Sequence, residues 1–234
     1  MNKTTPLTFI KLGGSVVTFK DQAYQPRRQV LKRLVAEIKA AKQQTGERYL
    51  IGHGQGSFAH IPVHQYQLNQ GCQNKKSLPG LAKTRQAVSR LNQIVVDEFI
   101  KAGLLGVSLL VNQMALVRSK KLIVGDFKIF TQSLDQGLLP ITTGDILLDQ
   151  DQGCSIWSTE TVFAQLASYF QQNTHYRPIK QIMVTDVEGV LDKNHQLIPI
   201  ITPNSSLNHC QLRSSSHIDV TGGMKHKVEV ALKQ

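Results

Sequence analysis

Lysines, a histidine and carboxylates recur beside glycines in this sequence, and that combination suits phosphate binding. Lys11-Leu12-Gly13-Gly14-Ser15 comes first, with Lys20 nine residues after Lys11. His53-Gly54-Gln55-Gly56-Ser57-Phe58-Ala59-His60 is the second such segment and Thr143-Gly144-Asp145 the third. Asp219-Val220-Thr221-Gly222-Gly223-Met224 is the fourth, with Lys225 and Lys227 behind it. Glycine lets a backbone approach an anion closely, and free N–H groups at a helix start point at the charge. None of the four fits G-x-x-x-x-G-K-[ST], and none fits G-x-G-x-x-G between a strand and a helix, so neither a P-loop nor a dinucleotide fold is supported. Taken singly, each glycine pair reads as a turn, Lys20 as a solvated lysine, and His60 as a helix histidine with His64 one turn on.

The elements that must hold these segments follow from hydrophobic periodicity. Leu7 to Leu12 reads as a strand ending at Gly13-Gly14, and Arg27 to Lys42 as a helix with Val30, Leu31, Leu34, Val35 and Ile38 on one face. Gly46 closes that helix, and Tyr49-Leu50-Ile51 begins a second strand. Ser57 to Tyr66 reads as a short helix, Gln67 to Ser77 as a polar loop, and Pro79 as the opening of a longer helix through Phe99. Val107 to Val111 and Leu138 to Thr142 read as buried strands, with a helix from Phe127 to Gln136 between them. Ile146-Leu147-Leu148 and Cys154-Ser155-Ile156 flank a turn and read as a hairpin. Thr159 to Gln172 is a helix, Gln181 to Thr185 a strand, and a last helix starts near Gly223. Such alternation implies an α/β sandwich around a mainly parallel sheet.

The 234 residues are 41% hydrophobic, enough to bury a sizeable core. Lysine and arginine outnumber the acids 27 to 16, a net charge of +11 that favours anionic partners. The basic residues are scattered and aromatics make up only 6%, so nucleic acid is not the expected partner. No apolar run approaches the roughly 18 residues of a membrane span, and the start lacks a signal peptide's long apolar stretch, so a cytoplasmic location is expected. Cys72, Cys154 and Cys210 are odd in number and lack C-x-x-C spacing, which argues against a disulfide framework and a zinc site. His195, His209, His217 and His226 share no spacing, so no metal ligand is assigned.

The order of the segments is more specific than any one of them. Lys11-x-Gly13-Gly14-Ser15, His53-Gly54-x-Gly56-Ser57-Phe58-x-His60, Gly144-Asp145, Thr185-Asp186-Val187-x-Gly189-Val190 and Thr221-Gly222-Gly223-Met224-x-x-Lys227 together resemble the amino acid kinase superfamily. Gly56-Ser57-Phe58-x-His60 followed by Tyr66 looks most like its isopentenyl phosphate kinases. The resemblance runs roughly from Phe9 to Lys233. It implies a three-layer αβα sandwich of the carbamate kinase type, a single domain over residues 1–234. Its acceptor-binding lobe would span about 1–140 and its ATP-binding lobe about 141–234. Members are often dimers, so a homodimer is one assembly the resemblance allows.

The implied reaction moves the γ-phosphoryl of ATP to a small-molecule phosphate acceptor, isopentenyl phosphate, giving its diphosphate. A phosphate acceptor is already ionised at neutral pH, so what is needed is charge stabilisation and alignment rather than a strong base. Under the resemblance, Lys11 stabilises the transferring group, Lys20 holds phosphate oxygens, and Gly13, Gly14 and Ser15 line the ATP phosphates. His60 positions the acceptor phosphate as a hydrogen-bond donor, with Gly54, Gly56, Ala59, Gly144, Asp145 and Ser158 about the acceptor. Gln55, Asp186, Gly189, Gly222, Gly223 and Lys227 fall to ATP. Mg²⁺ is expected to be held chiefly by ATP, since the sequence offers no clustered carboxylates. One face of the Pro79 helix is expected to line an isoprenoid pocket, and Trp157 to serve packing.

Three departures from the family pattern qualify the picture. Gln55 stands where a third glycine is expected and could crowd the phosphates. Ser158-Thr159-Glu160 stands for Ser-Gly-Asp, which makes Glu160, one methylene longer, the group that orients the lysines. The chain stops at Gln234, in or just after the last helix, where the family pattern continues with another strand, so either the sequence is cut short there or the nucleotide lobe is trimmed and binds ATP more weakly. Two other readings stay open: a phosphonate or phosphate kinase like the fosfomycin kinases, and a relative that binds ligand without catalysis.

Overall fold

The computed structural model describes residues 4–205 together with 228, 229, 231 and 232. The expected helix from Gly223, and with it Gly222, Gly223 and Lys227, lies outside the described residues, apart from a helical trace at Val228 and Glu229.

Strand β1 (Thr5–Leu12) is apolar on both faces, as a strand buried between two layers must be. Side chains alternate across a strand, and Ile10 and Leu12 enter one core while Leu7 and Phe9 enter another. The first core is roofed by α2 (Arg28–Thr45) and α4 (Ser77–Lys101), which contribute Leu31, Leu34, Val35, Ile38, Leu91, Val95 and Phe99. The second is roofed by α5 (Lys128–Asp135) and α6 (Thr159–Asn173), through Phe130, Leu134, Val162, Phe163, Leu166 and Phe170. Those helices and the sheet between them make the three-layer αβα sandwich.

The central sheet adds β2 (Arg48–His53), β3 (Gly106–Ser108), β6 (Leu139–Thr143) and β9 (Tyr176–Val184) to β1 in the order β3-β6-β2-β1-β9. Every pairing in it is parallel, and Leu12 is level with His53 on one side and Val184 on the other. The carboxyl ends of its strands therefore open at one edge, the place where open α/β sheets bind ligands.

A smaller four-stranded sheet, β5-β4-β7-β8, was only half expected. Its β7 (Asp145–Asp149) and β8 (Gly153–Trp157) are the anticipated hairpin, each strand one residue longer at both ends. The hairpin of β4 (Ala115–Arg118) and β5 (Lys121–Gly125) is new. Ser119 and Lys120 turn it with φ of 47° and 67°, a left-handed pair that normally calls for Asn-Gly. Asp149 supplies what the turn lacks, accepting from Ser119 N at 3.1 Å and Lys120 N at 2.8 Å. Burial works against its charge, but these bonds and others from Ser155, Gln152 and Asp151 win and hold the carboxyl below the usual carboxylate range.

Other boundaries shifted for local reasons. The expected helix Ser57–Tyr66 is a 3-10 turn over Gly56–Phe58 followed by α3 (His60–Gln65). The expected strand at Val107–Val111 stops at Ser108, and Val111 opens a 3-10 turn. Gly46 does close α2, in the left-handed conformation at φ 66°.

Candidate active site

The parallel sheet brings together four segments that are far apart in sequence: the turns after β1, β2, β6 and β9. Gly13 N donates to Val184 O at 2.8 Å, and Gly54 N to Leu12 O at 2.7 Å, so the turns are tied to neighbouring strand ends. The first and second turns lie backbone to backbone. A Cβ on Gly54 would stand 2.3 Å from Gly14 N, and one on Gly14 would stand 2.7 Å from Gly56 N. Gly56 also has φ 48°, with Thr18 Oγ1 1.9 Å from where its Cβ would be. Only glycine fits where the two turns meet, so backbone packs directly on backbone there. The single helical turn α1 (Gly14–Val17) starts at that junction, so Gly14 and Ser15 precede the first helical hydrogen bonds, which Val16 and Val17 donate to Gly13.

The charged residues are arranged around that junction. Lys11 is 5% exposed near the end of β1, and its Nζ forms an ion pair and hydrogen bond with Oε1 of Glu160, likewise 5% exposed, in the first turn of α6. Ser158 caps α6 by accepting from Thr161 N at 3.1 Å. Asp186, just past β9, uses both carboxylate oxygens: Oδ1 accepts from Ser15 Oγ and Oδ2 binds Lys20 Nζ, each at 2.7 Å. Partial burial would raise its pKa, but these two partners outweigh it and hold the carboxyl below its ordinary value. His60 is the first residue of α3 and Ala59 is buried just before it, so the second turn leads directly to the histidine.

Several of the expected residues also tie the frame together. Gln55 has an ordinary helical backbone, φ −86°, and its Nε2 donates to Gly144 O. The glycine expected there is not required by the backbone, and the amide points toward the β6–β7 junction. Gly144 is occupied in the same way, its N–H donating to Thr159 Oγ1 at 3.0 Å. Thr159, where glycine was expected, also donates to His53 O at 2.7 Å, and Thr143 Oγ1 reaches that same carbonyl at 2.9 Å. Asp145, expected at the acceptor, is 1% exposed and accepts from Asn112 Nδ2 and Ile146 N. Burial pushes its carboxyl up to about 6. A Cβ on Gly189 would stand 2.7 Å from Leu197 Cδ1.

One supporting network had no sequence signal beyond the presence of His53. That imidazole is fully buried between the carbonyl of Gly54, 3.0 Å from Nδ1, and the amide of Asn92, 3.1 Å from Nε2. Ser108 Oγ in turn donates to Asn92 Oδ1. Burial lowers the His53 pKa to about 4, so the ring is neutral and holds the second turn with a fixed tautomer. Asn92 is 39 positions away on α4, and nothing in its local sequence marks it.

Two glycine turns meet at the carboxyl edge of a parallel sheet, where two lysines are held by carboxylates distant in sequence. The model of the amino acid kinase family matches residues 6–234, and the chain belongs to that family. It is 30% identical over 238 residues to the isopentenyl phosphate kinase of Methanothermobacter thermautotrophicus, covering 97% of this chain and 86% of that one. The isopentenyl phosphate kinase of Methanocaldococcus jannaschii is also 30% identical, over 239 residues, covering 97% of this chain and 87% of the relative. Among solved structures, an isopentenyl phosphate kinase at 28% identity superposes with a TM-score of 0.70 over 79% of this chain and 73% of that one. Carbamate kinase from Giardia lamblia bound to AMP-PNP, at 14% identity, shares the fold with a TM-score of 0.68 over 100% and 89% of the two chains. No helix among the described residues is long and apolar enough to cross a membrane.

Proposed function

We propose that the chain is an ATP-dependent kinase of isopentenyl phosphate, transferring the γ-phosphoryl group of ATP to the acceptor's phosphate and releasing isopentenyl diphosphate and ADP. The observation that carries this reading is the joining of the Lys11–Glu160 pair, the two glycine turns and the Lys20–Asp186 pair at one sheet edge. The 30% identity to isopentenyl phosphate kinases supports the acceptor.

In this reading the phosphates lie against the backbone at the start of α1, beside two turns that only glycine lets pack so closely. Glu160 keeps Lys11 at a fixed position, so its charge meets the equatorial oxygens of the transferring group without reorganisation. Asp186 holds Lys20 and Ser15 ready at the other side of the turn. His60 donates a hydrogen bond to the acceptor phosphate, whose own oxygen attacks the γ-phosphorus as the bond to the ADP oxygen breaks. Mg²⁺ would be carried by ATP and would add charge neutralisation on its phosphates. No group of three or more histidines, cysteines, aspartates or glutamates that could hold it occurs among the described residues. Gly222, Gly223 and Lys227 complete the nucleotide side, residues 1–140 hold the acceptor and 141–234 the nucleotide.

The choice of an isoprenoid over a phosphonate such as fosfomycin rests on the identity to isopentenyl phosphate kinases, since the apolar residues packed about α3 are core. Val63, Leu81, Ile146 and Cys154 form a cluster there, with the partly buried Tyr66 and Ile156 packed against it. The test is ADP release with Mg-ATP and isopentenyl phosphate, fosfomycin, or no acceptor. Turnover with isopentenyl phosphate alone is expected. Turnover with fosfomycin alone moves the chain to the second reading, and silence of the folded protein with every acceptor rejects both.

A further inference from the structure

A cavity of about 710 Å³ opens between the segment leading into α2 and the middle of α4. Lys11, Lys20, His60, Glu160 and the turn glycines do not line it. Three guanidinium groups do: Arg27, Arg28 and Arg90. Apolar side chains make up much of the rest of its wall, above all Phe19, Tyr24 and Ile94.

The walls are held in place by their own contacts. A bridge between Thr18 and Pro26 closes the hairpin that carries the two aromatics. Tyr24 packs edge-on against the buried Phe58 at 5.7 Å, and Arg27 lies 5.5 Å over the Phe19 ring while donating to Ser15 O at 3.0 Å. Phe19 and Tyr24 nevertheless remain 44% and 40% exposed, so their rings offer apolar surface to whatever enters.

The charges are under-compensated. Arg28 has one acidic neighbour, Glu98, at 3.6 Å, and Glu98 is shared with Lys101 at 2.9 Å. Arg90 is exposed and has no acidic partner among the described residues. The 18-residue helix α2 begins at this cavity with no side-chain cap and no acidic residue in its first turn. Its first helical bond is donated by Leu31, so the N–H groups of Arg28, Gln29 and Val30 stand ahead of it. Guanidinium forks and a bare helix start both select phosphate over a single diffuse anion, and the apolar walls select an organic tail.

We propose that this cavity is a second binding site, separate from the catalytic edge, for an amphiphilic organic diphosphate. The diphosphate lies between Arg90, Arg28 and the start of α2, and the hydrocarbon lies along Phe19, Tyr24 and Ile94. The volume is within the range of ordinary small-molecule sites and exceeds what a bare phosphate needs.

Isothermal titration with geranyl diphosphate as the probe tests this, using the wild-type chain, Arg90→Gln and His60→Ala. Arg90 is exposed, so its replacement leaves the fold intact, which circular dichroism checks. A binding step is expected in the wild type, weakened about tenfold or more in Arg90→Gln and kept within about threefold in His60→Ala. Inorganic pyrophosphate is expected to bind about tenfold more weakly than the prenyl compound, since it leaves the apolar walls bare. No binding in the wild type, a step lost in His60→Ala and unchanged in Arg90→Gln, or equal affinity for pyrophosphate overturns the proposal. None of these readouts requires phosphoryl transfer, so the site stands or falls apart from the kinase reading.

Discussion

Glu160 reaches Lys11 across 149 positions of sequence to form a buried ion pair at the carboxyl edge of the sheet. Neither charge has water to fall back on, so each depends on the other. Removing one partner of such a pair typically costs about 3–5 kcal/mol. Lys11→Ala is therefore expected to nearly abolish turnover and to lower the urea midpoint. Glu160→Asp is the sharper probe, because a carboxylate one methylene shorter loses contact with Lys11. A fall in kcat of about tenfold to a hundredfold is expected, with affinity for a non-hydrolysable ATP analogue within about threefold. An unchanged kcat in Glu160→Asp would free Lys11 from the role assigned to it.

His60→Ala should act on the acceptor alone. The expected result is a KM for isopentenyl phosphate raised about tenfold or more, with nucleotide affinity preserved, since the turn glycines belong to other residues. Steady-state kinetics varying each substrate separate the two, and wild-type acceptor kinetics in the variant would remove His60 from the site.

Two buried groups make opposing contributions to pH-dependent stability. His53 is lowered by burial to about 4 from an ordinary 6.5, so below pH 6.5 the unfolded chain takes up a proton that the native ring refuses, and stability falls as pH drops toward 4. Asp145 is raised by burial to about 6 from 3.8, so the native carboxyl holds its proton longer, and stability falls as pH climbs from 4 to 6. Each contribution is on the order of 3 kcal/mol over its window, and they run against each other. Asp145→Asn should uncover the His53 slope, giving a urea midpoint that rises clearly from pH 4 to 6.5 where the wild type is flatter. Parallel profiles for the two proteins would refute the cancellation.

Asp149→Ala removes the acceptor for the Ser119 and Lys120 N–H groups and for Gln152 and Ser155. A loss of about 2–4 kcal/mol in unfolding free energy is expected, concentrated in the smaller sheet. Amide hydrogen exchange should show early deprotection of 115–125, and unchanged exchange there would deny Asp149 its part in the turn.

That hairpin also marks where sequence reading stops. Leu7 to Leu12 and the helix ending at Gly46 announce themselves through apolar spacing and a glycine cap, both local signals. Ser119-Lys120 lacks the glycine or asparagine of a tight turn, and its compensation comes from Asp149, 29 to 30 positions later. The site divides in the same way. Glycines beside Lys11 and before His60 are visible in the sequence because close backbone approach admits no other residue. The pairing of Lys20 with Asp186 was not visible, nor was the use of Gln55, Gly144 and Thr159 as framework, because hydrogen-bond partners are chosen by topology. The burial of Asp145 and its bonds to Asn112 and Ile146 were likewise set by topology.

The place of β1 between β2 and β9 has a consequence for how the molecule comes into being. Its first neighbour, β2, is complete by His53, but its other neighbour, β9, ends only at Val184. At the usual pace of synthesis, about 5–20 residues per second, the strand bearing Lys11 waits roughly 7–26 s with one edge unpaired. Throughout that interval a strand that the native fold buries on both faces is an open template for pairing with a neighbouring nascent chain. A chaperone that shields the first 60 residues would therefore protect the active site before any part of it could work.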